Sequence, residues 1–222
     1  MVKRLRIFNN FNIPKKYKKS IILIGNFDGL HSGHQKLFEL AKKYKTKYKS
    51  KIGVVTFDPI PKMFFNAKIK NYRISNFNQK VIYLKKFGVD FIINKKFEKN
   101  FSKITYHKFI KDILSGKLKS KFIFVSNNFR FGHKREGDVA LLKKYENYFG
   151  YNLINPTPLM KNKKIISSTI IRKLLEEGKL SKANTFLKRN WEIEGKVQRG
   201  RMMGQKIGFP TCNIDIGNYV IA

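Results

Sequence analysis

Four short apolar runs constrain this chain more than anything else in it. Ile21-Ile22-Leu23-Ile24, Lys51–Phe57, Val89–Ile93 and Lys121–Val125 are spread over its first 125 residues. Runs this short and this apolar read as strands buried on both faces, as in a parallel sheet. The segments between them carry helical spacing instead. Leu37, Leu40 and Ala41 share one face of a helix that the pattern ends near Lys43. Val81, Leu84 and Phe87 mark a helix over 77–87 stopped by Gly88. Two more are predicted around 105–115, stopped by Gly116, and near 137–149, ended by Gly150 before Tyr151-Asn152-Leu153-Ile154. Strands alternating with helices of this length predict an α/β fold with a doubly wound parallel sheet. Ligands of such sheets bind beyond the carboxyl ends of the strands.

Three turns are expected at that edge. The first strand, read over 21–26, runs into Gly25-Asn26-Phe27-Asp28-Gly29-Leu30-His31-Ser32-Gly33-His34. Its glycines let the backbone approach a ligand closely, and the helix that follows points unpaired N–H groups at it. His31 and His34 lie three residues apart at that entry, close enough to face one bound group. A phosphate is the expected guest. The second strand is broken by Asp58-Pro59-Ile60-Pro61, since two prolines cannot continue a central strand. The third turn is the loop that holds Asn127 and Asn128. The G-x-G-x-x-G fingerprint is absent after the first strand, and so is G-x-x-x-x-G-K-[ST]; a plain dinucleotide dehydrogenase and a P-loop kinase are thereby disfavoured.

Two later stretches carry chemistry of their own. In Ser167-Ser168-Thr169-Ile170-Ile171-Arg172, either Ser168 or Thr169 is read as the N-cap of a helix running through Leu174-Leu175-Glu176-Glu177 and closed by Gly178. Hydroxyls and N–H groups there, with Arg172 one turn in, make an anion site. In Asn128-Phe129-Arg130-Phe131-Gly132 two aromatics flank an arginine, a set suited to a flat ring and a phosphate. Beyond Asn184 a strand is expected over Trp191–Val197, and Gly200, Gly204 and Gly208 then recur every four residues.

The formal net charge of +34 points to anionic partners. Only nine of the 48 basic residues are arginine, and the lysines run through every segment instead of forming a tail. This reads as a lysine-rich surface that attracts anionic substrates, not as a specific nucleic-acid site. Cys212 stands alone, so an intramolecular disulfide or cysteine-based zinc site is ruled out. No apolar run reaches the roughly 18 residues of a spanning helix, and the N-terminus lacks a signal-peptide core. A soluble, cytoplasmic protein without a membrane partner is expected.

The motifs also resemble a family. The ten residues from Gly25 to His34 resemble the first signature of the prokaryotic FAD synthetases, a branch of the H-x-G-H nucleotidylyltransferases. Thr56-Phe57-Asp58-Pro59-Ile60-Pro61 resembles their T-F-[DE]-P-H-P element, with Ile60 where the family usually has histidine. Asn128–Gly132 with Gly137-Asp138 resembles the second signature, and Ser167–Arg172 the I-S-S-T-x-I-R element. The segment Gly200–Asn213 resembles the opening of the riboflavin kinase domain. The resemblance implies a Rossmann-like nucleotidylyltransferase domain over 1–186 and an incomplete β-barrel flavokinase segment over 187–222. It implies adenylyl transfer from ATP to FMN, giving FAD and pyrophosphate, with Mg2+ offsetting phosphate charge. His31 and His34 would be catalytic. Gly25, Asn26, Phe27, Asp28, Gly33, Ser167, Ser168, Thr169 and Arg172 would bind ATP. Asp28 is either a structural anchor of the loop or a magnesium-side partner. Asp58, Pro59, Asn128, Phe129, Arg130 and Gly132 would bind FMN. Gly208, Thr211 and Asn213 would bind Mg-ATP in the kinase segment, with Thr211 and Asn213 as its Mg2+ ligands. Closing a kinase barrel takes about a hundred further residues, so conversion of riboflavin to FMN is not expected. Alternatives are another H-x-G-H nucleotidylyltransferase, a basic nucleic-acid-binding protein, or an inactive flavin-binding remnant.

Overall fold

The computed structural model describes residues 5–161, 164–201 and 203–221. In chain order the elements begin with β1 (Arg6–Phe8), β2 (Ile21–Ile24), α1 (Ser32–Tyr48), β3 (Ile52–Asp58), α2 (Pro61–Phe65), α3 (Phe77–Lys86) and β4 (Phe91–Lys96). They continue with α4 (Lys99–Ser102), α5 (Tyr106–Lys108), a π-helical stretch Phe109–Lys117, β5 (Phe122–Phe124), α6 (Val139–Lys144), α7 (Glu146–Phe149) and β6 (Asn152–Ile154). A small hairpin of β7 (Met160–Lys161) and β8 (Lys164–Ile165) precedes α8 (Ser168–Glu176) and α9 (Leu180–Leu187). The C-terminal part holds β9 (Lys196–Gln198), α10 (Met203–Lys206) and β10 (Asn213–Asp215).

Six strands form one sheet in the order β1-β4-β3-β2-β5-β6, and every pair in it is parallel. The doubly wound reading therefore holds. β2 is central, with Leu23 between Val54 of β3 and Phe124 of β5. The chain fills one side with β3 and β4, then returns to fill the other with β5 and β6, so the order reverses between β2 and β5. That reversal is where such sheets open a crevice for ligands.

The uninterrupted apolar runs are explained by two cores. Ile21, Leu23, Val54 and Ile92 face a layer with Leu37, Phe38 and Leu84 of α1 and α3. Ile22, Ile24, Val55 and Ile93 face the opposite layer with Ile110, Leu114 and Leu142. Alternate residues of each strand feed opposite cores, as the two-residue strand period demands. Gly53 interrupts the run for a packing reason: a Cβ there would lie 2.2 Å from the Phe91 ring on the neighbouring strand.

Several boundaries differ from expectation, each for a local reason. α1 does not end near Lys43 but continues to Tyr48, because Tyr44 and Tyr48 both pack on Phe122. Lys45 and Lys47 between them mask the apolar period, and Lys49 closes the helix at φ 47° without a glycine. Gly116 does not stop the third helix. The chain there widens into π-helical turns, with Leu118 N–H bonded to Ile113 O, and carries Gly116 inside them. The helix near 137–149 is two pieces broken at Tyr145; Glu146 turns its carboxylate onto Leu153 N–H at 2.5 Å. The strand read at 89–93 starts two residues later and runs to Lys96, paired as far as Asp58–Lys96. β2 stops at Ile24, and the strand expected over Trp191–Val197 is only Lys196–Gln198. β1 adds an edge strand beside β4 that no expected strand covers.

A Gly53→Ala chain is expected to lose about 2 kcal/mol of stability, since its methyl overlaps a ring that is itself fully buried. Thermal unfolding checks this; an unchanged midpoint would show that Phe91 yields freely.

Candidate active site

The histidine turn leaves β2 at the centre of the sheet and is held from behind by one buried carboxylate. Asp28 is 2% exposed. It accepts hydrogen bonds from Ile74 N–H at 3.1 Å and Ser75 N–H at 3.2 Å, and Arg172 Nη2 donates to it at 2.7 Å. Charge-assisted bonds of this kind are short and strong. Ser168 Oγ donates to the Asp28 carbonyl at 2.9 Å, and Gly29 N–H donates to Ser75 Oγ at 3.2 Å. Arg189 Nη2 donates to the Gly29 carbonyl at 2.7 Å with its guanidinium over the Tyr83 ring. A turn with Phe27, Gly29 and Leu30 all at positive φ is thus tied on three sides.

These contacts correct two expectations. Arg172 is not an open guanidinium: it is 8% exposed, paired with Asp28, bonded through Nε to Tyr72 O at 2.7 Å and stacked on the Tyr72 ring. Of the two roles left open for Asp28, the structural anchor fits. Both its oxygens are engaged within the protein. The N-cap of α8 is also neither Ser168 nor Thr169. It is Ser167, whose Oγ accepts from Ile170 N–H, because Ser168 is drawn away to the Asp28 carbonyl. Thr169 is exposed.

Two helix N-termini meet at the turn. His31 caps α1, and a Cβ on Gly33 would lie 3.1 Å from the His31 ring and 3.4 Å from the Ile166 carbonyl just before α8. The His31 and His34 rings stack with centroids 3.7 Å apart, and Phe27 meets His34 edge-on. His31 Nδ1 accepts from His34 N–H, an assignment that leaves its proton on Nε2. Burial pulls the His31 pKa down to about 4; Asp28 opposes this, while Arg172 and Arg189 add to it. Burial likewise pushes His34 well below its ordinary value, helped by His31, Lys80 and Arg172. Both rings are therefore neutral near pH 7, as hydrogen-bond donors and not as cations. His34 Nδ1 has no hydrogen-bond partner among the described residues.

The two other predicted turns lie at the carboxyl ends of the strands that flank β2. Asp58 and Pro59 sit at the end of β3 with a cis peptide between them, and Asp58 pairs with Arg73. Ile60 is buried. Beyond β5 an open cavity of about 700 Å³ is lined by Asn127, Asn128, Phe129, Arg130, Arg135 and Asp138, among others. That is within the size range of small-molecule sites. Phe131 belongs to the core and stacks on Phe129, which edges the cavity. Arg130 pairs with Asp138, which caps α6. Gly132 is required by its place: φ is +77°, and a Cβ would sit 2.7 Å from Tyr106 N. Thr211 and Asn213 line a second, shallow cavity near the C-terminus; Gly208 lies outside that lining.

Among the described residues no group of three or more His, Cys, Asp or Glu side chains could hold a metal. Thr211 and Asn213 are exposed and offer only neutral oxygens, a poor set for a resident Mg2+. The residues therefore do not form a metal site of their own.

The fold is a parallel α/β domain whose central turn brings two helix N-termini together. The FAD synthetase family matches residues 13–170, and the riboflavin kinase family matches residues 187–222. The bifunctional riboflavin kinase/FMN adenylyltransferase of Buchnera aphidicola subsp. Schizaphis graminum is 41% identical over 208 residues, covering 92% of this chain and 66% of the relative. Its counterpart in Escherichia coli K12 is 34% identical over 200 residues, covering 90% of this chain and 64% of the relative. A crystal structure described as a macrolide-efflux protein from Streptococcus pneumoniae superposes with a TM-score of 0.80 at 26% identity, covering 98% of this chain and 80% of that one. No helix among the described residues is long and apolar enough to cross a membrane. This chain belongs to the FAD synthetase family. It spans just under two thirds of the length of the curated relatives it matches.

Two outcomes follow from the geometry. Arg172→Ala strands a buried carboxylate and is expected to cost about 3–5 kcal/mol, against much less for the Asp28→Asn/Arg172→Met pair. Equal unfolding midpoints for wild type and Arg172→Ala would refute the brace. The histidines set a pH dependence. The unfolded chain takes up a proton at His31 near 6.5 and the folded chain only near 4, so stability falls as pH drops through that window. His31→Gln is expected to flatten part of this acid limb; identical limbs would mean that His31 is not held neutral by burial.

Proposed function

We propose that this chain transfers the adenylyl group of ATP to FMN. The observation that supports this most is the pair of neutral, stacked imidazoles at the joined N-termini of α1 and α8, placed at the sheet's reversal point. A phosphate oxygen of FMN attacks the α-phosphorus of ATP, forming the new P–O bond of FAD. The bond to the bridging oxygen of the β-phosphate breaks, and pyrophosphate leaves with its electron pair. The attacking oxygen is already anionic, so neither an enzyme nucleophile nor a general base is needed. Catalysis is then positioning and charge stabilisation.

His31 and His34 donate N–H bonds to the α-phosphate oxygens as charge shifts along the line of transfer. Gly33 keeps that approach open, and Gly25, Asn26 and Phe27 shape the turn. Ser167 and Thr169, with the free N–H groups of α8, take the departing pyrophosphate. Arg172 and Asp28 hold this frame from inside. Mg2+ would arrive with ATP, ligated by its phosphates. The cavity beside Asn128, Phe129 and Arg130 suits FMN: Phe129 offers a ring face, and Arg135 and Lys143 add positive charge at its lining. Asp58 and Pro59, on the other side of β2, are the remaining candidates for contact with FMN. We assign 1–186 to adenylyl transfer and 187–222 to a kinase segment in which Gly208, Thr211 and Asn213 are the candidate nucleotide contacts.

The test is incubation with FMN, ATP and Mg2+, following FAD and pyrophosphate by chromatography, with riboflavin as a parallel substrate. FAD from FMN, without FMN from riboflavin, is expected. Replacing both histidines by Ala should lower turnover at least about a hundredfold, the scale of losing oxyanion-type donors, while circular dichroism stays unchanged. Near-normal FAD production by that variant would sink the assignment.

A further inference from the structure

One buried charged side chain near the turn is assigned neither to catalysis nor to substrate binding. Lys80, on α3, is 2% exposed. Its ammonium makes one long hydrogen bond, 3.4 Å to Thr56 Oγ1, and has no ion-pair partner within 4.0 Å among the described residues. Thr56, itself fully buried at the end of β3, donates in turn to the Asn26 carbonyl at 3.3 Å. Lys80 is thereby wired to the backbone of the turn that carries the histidines.

A buried ammonium with one weak acceptor is a liability to the fold, and cores of this kind are ordinarily filled by apolar residues. The charges that face it are few. Asp28, in the turn, and Asp58, at the end of β3, attract it, and Arg73 opposes it. Burial draws its pKa down to about 8, which leaves it mainly protonated at neutral pH. His34 feels His31, Lys80 and Arg172. A charge without an ion-pair partner, held in place beside a ligand-facing turn, is what a preorganised electrostatic site requires.

We propose that Lys80 is a positioning residue for the histidine turn: its buried ammonium, bonded through Thr56 to Asn26, supplies fixed positive potential that adds to burial in keeping the His34 imidazole uncharged and draws a polyphosphate to it. The identity of that polyphosphate rests on the adenylyl-transfer reading; the effect on His34 does not.

The test uses the full chain with Lys80→Met, which keeps length and removes charge, and with Thr56→Val, which cuts the relay and keeps the charge. Imidazole titrations by NMR, ATP affinity by calorimetry and unfolding midpoints are read together. In Lys80→Met, His34 should titrate at higher pH than in wild type. ATP affinity should fall about tenfold, the scale of one neighbouring charge. The unfolding midpoint should hold or rise, which a merely structural lysine would not allow. Thr56→Val should weaken ATP binding with His34 still held low. An unmoved His34, or a lower midpoint with unchanged ATP affinity, overturns the proposal. If Lys80→Met does not fold, wild type still decides: ATP affinity should decline as pH rises through about 8, and a flat profile overturns the role. Wild type that binds no ATP, with His34 still shifted in Lys80→Met, would refute adenylyl transfer and leave the role of Lys80 standing.

Discussion

The contact between Asp28 and Arg172 is the interaction on which the rest of the site depends. Neither group tolerates burial alone, since a stranded charge costs several kcal/mol, so each obliges the other to be present. The pair also does not stand alone. Ile74 and Ser75 donate their backbone N–H groups to Asp28, and Tyr72 takes the Arg172 Nε–H and lies flat beneath the guanidinium. One carboxylate thus joins the turn after β2, the strap before α3, and α8, which are separated by 46 and 144 residues in sequence. The strap is fastened on its other side by the C-terminal part. Tyr72 and Arg73 donate to the Asn218 carbonyl, Trp191 donates its indole N–H to Ile74 O, and Tyr219 donates to Gln79. Residues within the riboflavin kinase match therefore buttress the turn matched by the FAD synthetase family.

That frame explains an unusual electrostatic division. The surface is strongly cationic, yet the two side chains at the centre of the turn are held neutral by burial. Under the proposed transfer, long-range attraction of anions and short-range donation of hydrogen bonds fall to different groups. Diffuse lysines serve the first, screened by salt beyond about 10 Å. Two desolvated imidazoles serve the second, where low dielectric strengthens each bond.

How much of this was legible depended on how local the cause was. The parallel sheet followed from apolar runs, because burial on both faces writes itself directly into consecutive residues. Gly88, Gly150 and Gly178 marked helix ends where they take up positive φ, whereas Gly116 misled because a π-helical turn accommodates it. The histidine turn was visible as a motif, but its supports were not. Ser75 and Arg189 meet Gly29 across 46 and 160 residues, while Lys80 acts on the turn through Thr56 and Tyr72 through Arg172, and nothing in their own neighbourhoods announces that. The role of Arg172 was misjudged for the same reason: an arginine at a helix start reads as open until its distant carboxylate is seen. The cap falls to Ser167 because the Ser168 hydroxyl donates to the Asp28 carbonyl instead.

The account makes the site a device that positions two phosphates and donates hydrogen bonds, with no covalent chemistry by the protein. Stereochemistry at phosphorus tests this most directly. ATP carrying a single chiral α-thiophosphate should yield the flavin dinucleotide with inverted configuration, as one in-line displacement requires. Retention would reveal an adenylylated enzyme and contradict the account.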